Sequence, residues 1–94
     1  MQEYMWETPS EIDKELAKRV KNIRKRKGYT QEELALKSNV SYGALKKFEQ
    51  TGEISLKSLT KIALELDIAR DIKELFTQVP YSSIEEVING RKRT

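Results

Sequence analysis

Tyr42, Gly43, Lys46 and Lys47 lie within six consecutive residues. Placed on a helix at about 100° per residue, they fall on the side opposite Leu45 and Phe48, with Ala44 and Glu49 flanking the apolar pair. That outer side carries two ammonium groups, a phenol and no acid, and at Gly43 it carries no side chain. Its chemistry is donation of hydrogen bonds and positive charge to a polyanion at close range. Glycine inside a helix costs about 0.5–1 kcal/mol relative to alanine, which close approach of a partner would explain. The alternative is that Gly43 sits harmlessly in a first turn and the two lysines only solvate a surface.

Other chemistry is largely excluded. The chain has no Cys and no His, so disulfides, thiolate nucleophiles, imidazole bases and the usual zinc ligand sets cannot be assembled. Neither metal nor cofactor is expected. Serines, lysines and carboxylates remain, but no spacing pairs them into a catalytic constellation and no Gly-rich phosphate loop occurs, so no enzyme is expected. A net charge of +3 says little by itself, but eight basic residues stand between Lys14 and Lys27 against the single acid Glu15. Arg91-Lys92-Arg93 form a second cluster. Such concentration favours a polyanionic partner through long-range attraction.

The elements that must position these residues are helical. With 94 residues, 37% of them hydrophobic and 35% charged, one domain around a modest core is expected. The division is a tail over 1–9, a domain over 10–78 and an extension over 79–94. A first helix is predicted from about Glu11 to Lys27, capped by Ser10, with Ile12, Leu16, Val20 and Ile23 on its inner face and Gly28 ending it. Thr30 and Glu33 form a capping box, and Tyr29 with Leu34 a hydrophobic staple, starting a second helix over about Gln31–Ser38. Asn39 suits a left-handed turn and Ser41 is the next N-cap, so a third helix follows after about three residues. Ser55 caps a fourth over about Leu56–Leu66, on the stripe Leu56, Leu59, Ile62, Ala63 and Leu66. A short fifth over Asp67–Phe76 contributes Ile68, Ile72, Leu75 and Phe76. Ser82 or Ser83 opens a last short helix carrying Ile84, Val87 and Ile88.

Thr30-Gln31-Glu32-Glu33-Leu34-Ala35, Val40-Ser41, Leu45, Phe48-Glu49 and Gly52 resemble the XRE, or Cro/cI-type, helix-turn-helix pattern over about residues 20–68. The resemblance implies an all-α, lambda-repressor-like five-helix DNA-binding domain, here with a short C-terminal helical extension. It implies that Tyr42, Gly43, Lys46 and Lys47 face bases in the major groove. It further implies phosphate contacts from Arg24, Thr30, Gln31, Ser41, Ser55 and Lys57, several of them at helix N-termini. Arg24 and Glu49 correspond to positions that pair in relatives. Two departures stand out: Thr51 is an extra residue between Glu49 and Gly52, and Tyr42 replaces an adenine-reading glutamine.

Relatives bind as two-fold dimers on half-sites about 34 Å apart, so a homodimer on double-stranded operator DNA is expected, acting as a repressor. The stretch Val79 to Ile88 followed by Arg91-Lys92-Arg93 more weakly resembles the end of HipB-type antitoxins paired with HipA-type kinase toxins, which offers Tyr81, Ile84 and Val87 to such a partner. The alternatives are that these residues pack onto the domain or across a dimer, or that the whole chain is a protein-interaction module that neutralises a partner. Single-stranded RNA is disfavoured because stacking aromatics do not share a face. The first seven residues carry two acids and no base, and no apolar run approaches the roughly 20 residues that span a bilayer, so a cytoplasmic protein is expected.

Overall fold

Four hydroxyl groups begin four helices. In the computed structural model, which describes residues 7–78, the elements are α1 (Pro9–Arg26), α2 (Gln31–Ser38), α3 (Tyr42–Thr51), α4 (Leu56–Glu65) and α5 (Ala69–Lys73). Thr8 Oγ1 accepts the Glu11 N–H at 3.1 Å while the Glu11 carboxylate accepts the Thr8 N–H at 2.8 Å. Thr30 and Glu33 repeat this exchange at 3.0 and 2.9 Å. In both boxes the backbone N–H of the cap, then its hydroxyl, hold the glutamate below the usual carboxylate range. Ser41 accepts from Ala44 N–H at 3.0 Å and Ser55 from Ser58 N–H at 3.1 Å. Each of these bonds satisfies an amide that the helix itself leaves without a partner.

The start of α1 differs from the expectation that Ser10 is its cap. Thr8 takes that role because Pro9 suits the first helical position, where no N–H is needed, and Thr8 has Glu11 at the spacing that closes a capping box. The ends follow left-handed residues. Gly28 has φ 81°, and Tyr29 N–H donates to the Arg24 carbonyl at 3.2 Å. Asn39, at φ 59°, ends α2, and Val40 N–H reaches the Ala35 carbonyl at 3.0 Å. Asp67, at φ 63°, ends α4 in the same manner. It therefore cannot start a helix, and the fifth helix expected over Asp67–Phe76 shortens to five residues. A turn follows, and Phe76 is 90% exposed.

The core gathers Ala17 and Val20 of α1, Leu34 and Ala35 of α2, Val40 of the turn, Leu45 and Phe48 of α3, and Ile62 and Leu66 at α4. Helix α3 packs on α1 and α2, α2 also on α4, and α5 on α4. Five expected core residues stay outside it: Ile12, Leu56, Leu75 and Phe76 are exposed, as is Leu16 at 41%. The reason in α1 is rotational. Its inward stripe runs through Ala17, Val20 and Arg24, so Ile12 is turned aside while Leu16 edges an apolar groove of about 280 Å³ between α1, α4 and α5. Ile23, Leu59, Ile68, Ile72 and Leu75 line the same groove.

Arg24 is the charged member of that stripe. Its Nε and one terminal nitrogen donate to the two Glu49 oxygens at 2.8 and 3.1 Å, and its other terminal nitrogen to the Tyr29 carbonyl at 2.8 Å. The pair expected from the resemblance is thus formed, with side chains 8% and 2% exposed. Farther down the same contact, Gly52 turns at φ 84°, and a Cβ built there would stand 2.7 Å from the Asp13 carbonyl carbon. No side chain fits between these two backbones.

Two outcomes follow for stability, both measurable by urea unfolding. Gly52→Ala should cost well over about 1 kcal/mol, because strain at positive φ adds to a collision with backbone. Gly28→Ala, with nothing within 4 Å of its Cβ, should cost less; equal losses would show that the α1–α3 approach is not tight. Arg24→Met should cost about 3–5 kcal/mol by stranding the Glu49 charge, whereas Arg24→Met combined with Glu49→Leu should recover most of it. A double variant no more stable than the single one would contradict this account.

Candidate nucleic-acid interface

Asn39, Val40 and Ser41 connect α2 to α3. The left-handed Asn39 reverses the chain, Val40 is buried at 8%, and Ser41 caps the next helix. These three residues fix where the outer face of α3 lies. With Leu45 and Phe48 at 0% and 1% exposure, Tyr42, Gly43, Lys46 and Lys47 are left together at the surface. The Lys46 ammonium stands 5.1 Å from the centroid of the Tyr42 ring, a separation at which the ring's π-face attracts the cation. The Lys47 ammonium stands 3.2 Å from a Glu53 carboxylate oxygen.

That second contact corrects the sequence reading of a face with no acid. Within α3 the reading holds, since Glu49 is turned inward to Arg24. The acid comes instead from the loop after Gly52. The turn that returns it is held by Thr51, which back-bonds to the Lys47 carbonyl at 2.7 Å while its oxygen accepts the Glu53 N–H at 3.1 Å. Helix periodicity alone places Glu53 beyond the helix and says nothing of its return.

The residues expected at phosphates separate into two groups. Thr30, Ser41 and Ser55 are exposed at the first turns of α2, α3 and α4, and Lys57 is exposed in the first turn of α4. Each cap hydroxyl accepts an amide hydrogen and keeps its own O–H free to donate. Helices α3 and α4 carry no acid in their first turns, so no carboxylate of the first turn offsets their N-terminal dipoles. Gln31 is half-buried, and its amide nitrogen donates to Glu49 at 2.8 Å; the second amide hydrogen stays available. Arg24 is different. At 6% exposure, with three donors used inside, it joins helices.

Among the described residues no group of three potential metal ligands comes together, and no helix is long and apolar enough to cross a membrane. Tyr81, Ile84 and Val87, the expected partner contacts, lie outside the described residues, as does the last short helix expected after Ser82 or Ser83.

Comparison with curated proteins gives no match. Residues 20–72, more than half of the chain, match the family model for the helix-turn-helix. The matched stretch enters in the second half of α1, contains the whole α2–turn–α3 unit with α4, and ends within α5. An all-helical arrangement, a capped helix pair joined by a three-residue turn, and this match agree: the chain belongs to the XRE-type helix-turn-helix family, DNA-binding and non-enzymatic, with a lambda-repressor-like fold.

Proposed function

We propose that the chain is a sequence-specific repressor that lays α3 in the major groove of operator DNA and binds as a homodimer. The observation that carries this reading is the outer face of α3, where two lysines, an exposed phenol and a bare glycine stand together between two helix N-termini that carry no acids. Lysine donates to guanine O6 or N7, and a tyrosine ring can lie against a thymine methyl. Thr30, Gln31, Ser41, Ser55 and Lys57 are the proposed phosphate contacts. They fix the register of α3 on the duplex and carry no sequence information themselves. The exposed basic residues of α1 supply attraction at longer range.

The homodimer is supported by the apolar groove between α1, α4 and α5. None of its lining residues belongs to α2 or α3, so a second copy seated there leaves the proposed DNA face open.

A second reading makes the chain an autoregulating antitoxin held by a HipA-type kinase toxin. It rests on the sequence of residues 79–94 and is compatible with the first, since one domain would bind operator and the extension the toxin. The rival, a module that binds only a partner protein, differs in having no affinity for duplex DNA.

Randomised-duplex selection with the purified chain should return a pseudo-palindrome. If Lys46 or Lys47 reads a base, its alanine variant should lose about 1–3 kcal/mol at one position of the selected site. Uniform weakening on every sequence would mark a phosphate contact instead. With five or six phosphates neutralised per subunit, log affinity should fall against log salt with a slope of about −5 per subunit. A slope near zero would end the DNA reading. Sedimentation equilibrium should give twice the 11.0 kDa chain mass, and Leu75→Glu, at an exposed edge of the groove, should shift it to one; an unchanged dimer would remove the groove from the interface.

A further inference from the structure

The groove between α1, α4 and α5 is a slot of about 280 Å³ whose floor is the core itself: Val20, Ile62 and Ala63 are buried, while Leu16 and Leu75 stand exposed at its rim. Such a slot admits a few side chains and no folded body. Eleven residues line it, against about 20–30 a side in a stable protein–protein contact, so a second copy needs more than a facing groove to hold on. The described residues end at Gln78, three positions beyond Leu75, so the chain leaves from the groove's edge. At helical spacing Ile84, Val87 and Ile88 share one face, with Glu85 and Glu86 between them and no base from Val79 to Gly90. The α1 rim of the groove is basic: Arg19 lines it, and the exposed Arg26 lies on the same flank two turns on. Asp71 is on the opposite wall, on α5.

We infer that the groove of each copy holds residues 84–88 of the other, so that two exchanged segments close the homodimer. The inference rests on the homodimer reading above, and it assigns Ile84 and Val87 to the second copy in place of a toxin. Ile84 is nine positions beyond Leu75, a reach of up to about 30 Å, which carries the segment across a two-fold axis onto the facing groove. The contact is isologous: each copy gives one segment and one groove, and the assembly closes at two. Ile84, Val87 and Ile88 supply the apolar area that the groove alone lacks, and the adjoining glutamates meet the basic α1 rim. A segment folded back on its own groove would leave the second copy without that area. Helices α2 and α3 contribute nothing to the groove, so closure of the dimer and contact with DNA use separate surfaces.

Sedimentation equilibrium on the full chain and two full-length variants tests this. Ile84→Asp with Val87→Asp changes no residue of the core and should raise the dimer dissociation constant at least about 100-fold, the loss of two buried aliphatic side chains. Leu75→Glu should weaken the dimer from the groove side. At concentrations where each variant alone sediments as one 11.0 kDa chain, an equimolar mixture of the two should regain mass, because one intact segment then meets one intact groove. A mixture no heavier than its components would place each segment on its own groove and overturn the inference. A dimer that survives Ile84→Asp with Val87→Asp but is lost in Leu75→Glu also overturns it, while leaving the homodimer reading in place. An unsubstituted chain that sediments as a monomer ends both.

Discussion

A carboxylate at 2% exposure cannot stand alone in a protein this small, because an unpaired buried charge costs several kcal/mol. Glu49 meets that requirement by collecting Arg24 from α1 and Gln31 from the first turn of α2 while itself belonging to α3. Three helices are thereby fixed to one side chain. Arg24 also holds the Tyr29 carbonyl, in the link between α1 and α2. The relation of α2 to α3, on which a helix-turn-helix depends, is therefore set twice: by the packing of Leu34, Val40 and Leu45 inside, and by a directional polar joint at the rim. Hydrophobic packing alone tolerates sliding; a bidentate pair does not. Among the described residues, no buried side-chain nitrogen or oxygen lacks a hydrogen-bond partner.

The helix caps have a double use in this fold. Thr30, Ser41 and Ser55 are required locally because the first turns of α2, α3 and α4 have amides to satisfy. The same three hydroxyls are the proposed phosphate donors, and no change of conformation is needed for both roles, since a hydroxyl accepts through its lone pairs and donates through its proton. Thr8, the cap of α1, has its hydroxyl within 3.2 Å of the Glu11 carboxylate as well as under the Glu11 N–H. Its chemistry is turned inward on its own box, and it stands outside the matched family stretch.

What the sequence made legible was whatever depends on short range. The Thr30–Glu33 box, the left-handed Asn39, the Ser41 cap and the inward pair Leu45 and Phe48 each rest on residues within four positions of one another, and the structure has all of them. The face of α1 was misread for a physical reason: hydrophobic periodicity selects Ile12 and Leu16, but the buried stripe includes Arg24, a residue that no hydropathy pattern places inside. The Thr8 cap was legible, as Thr8-Pro9-Ser10-Glu11 spells a capping box with proline at its first helical position, yet Ser10 competes for the same role. The Lys47–Glu53 contact was not legible, because it needs the left-handed turn at Gly52 to bring a residue beyond the helix back along it.

Gly43 remains the residue that the fold does not explain. Gly52 is forced by the Asp13 backbone and Gly28 by its left-handed φ, but Gly43 has an ordinary helical backbone and open space around the place a Cβ would take. Alanine there would fit, and would favour the helix by up to about 1 kcal/mol, less so near an end. Internal packing thus gives no reason for glycine, and the position is open to a partner that approaches from outside. The surface it would approach is flanked by Lys46 and Lys47 and capped by a helix N-terminus without acids. A duplex groove fits that demand better than a protein face does, since its floor presents hydrogen-bond acceptors at close range and its walls are phosphates.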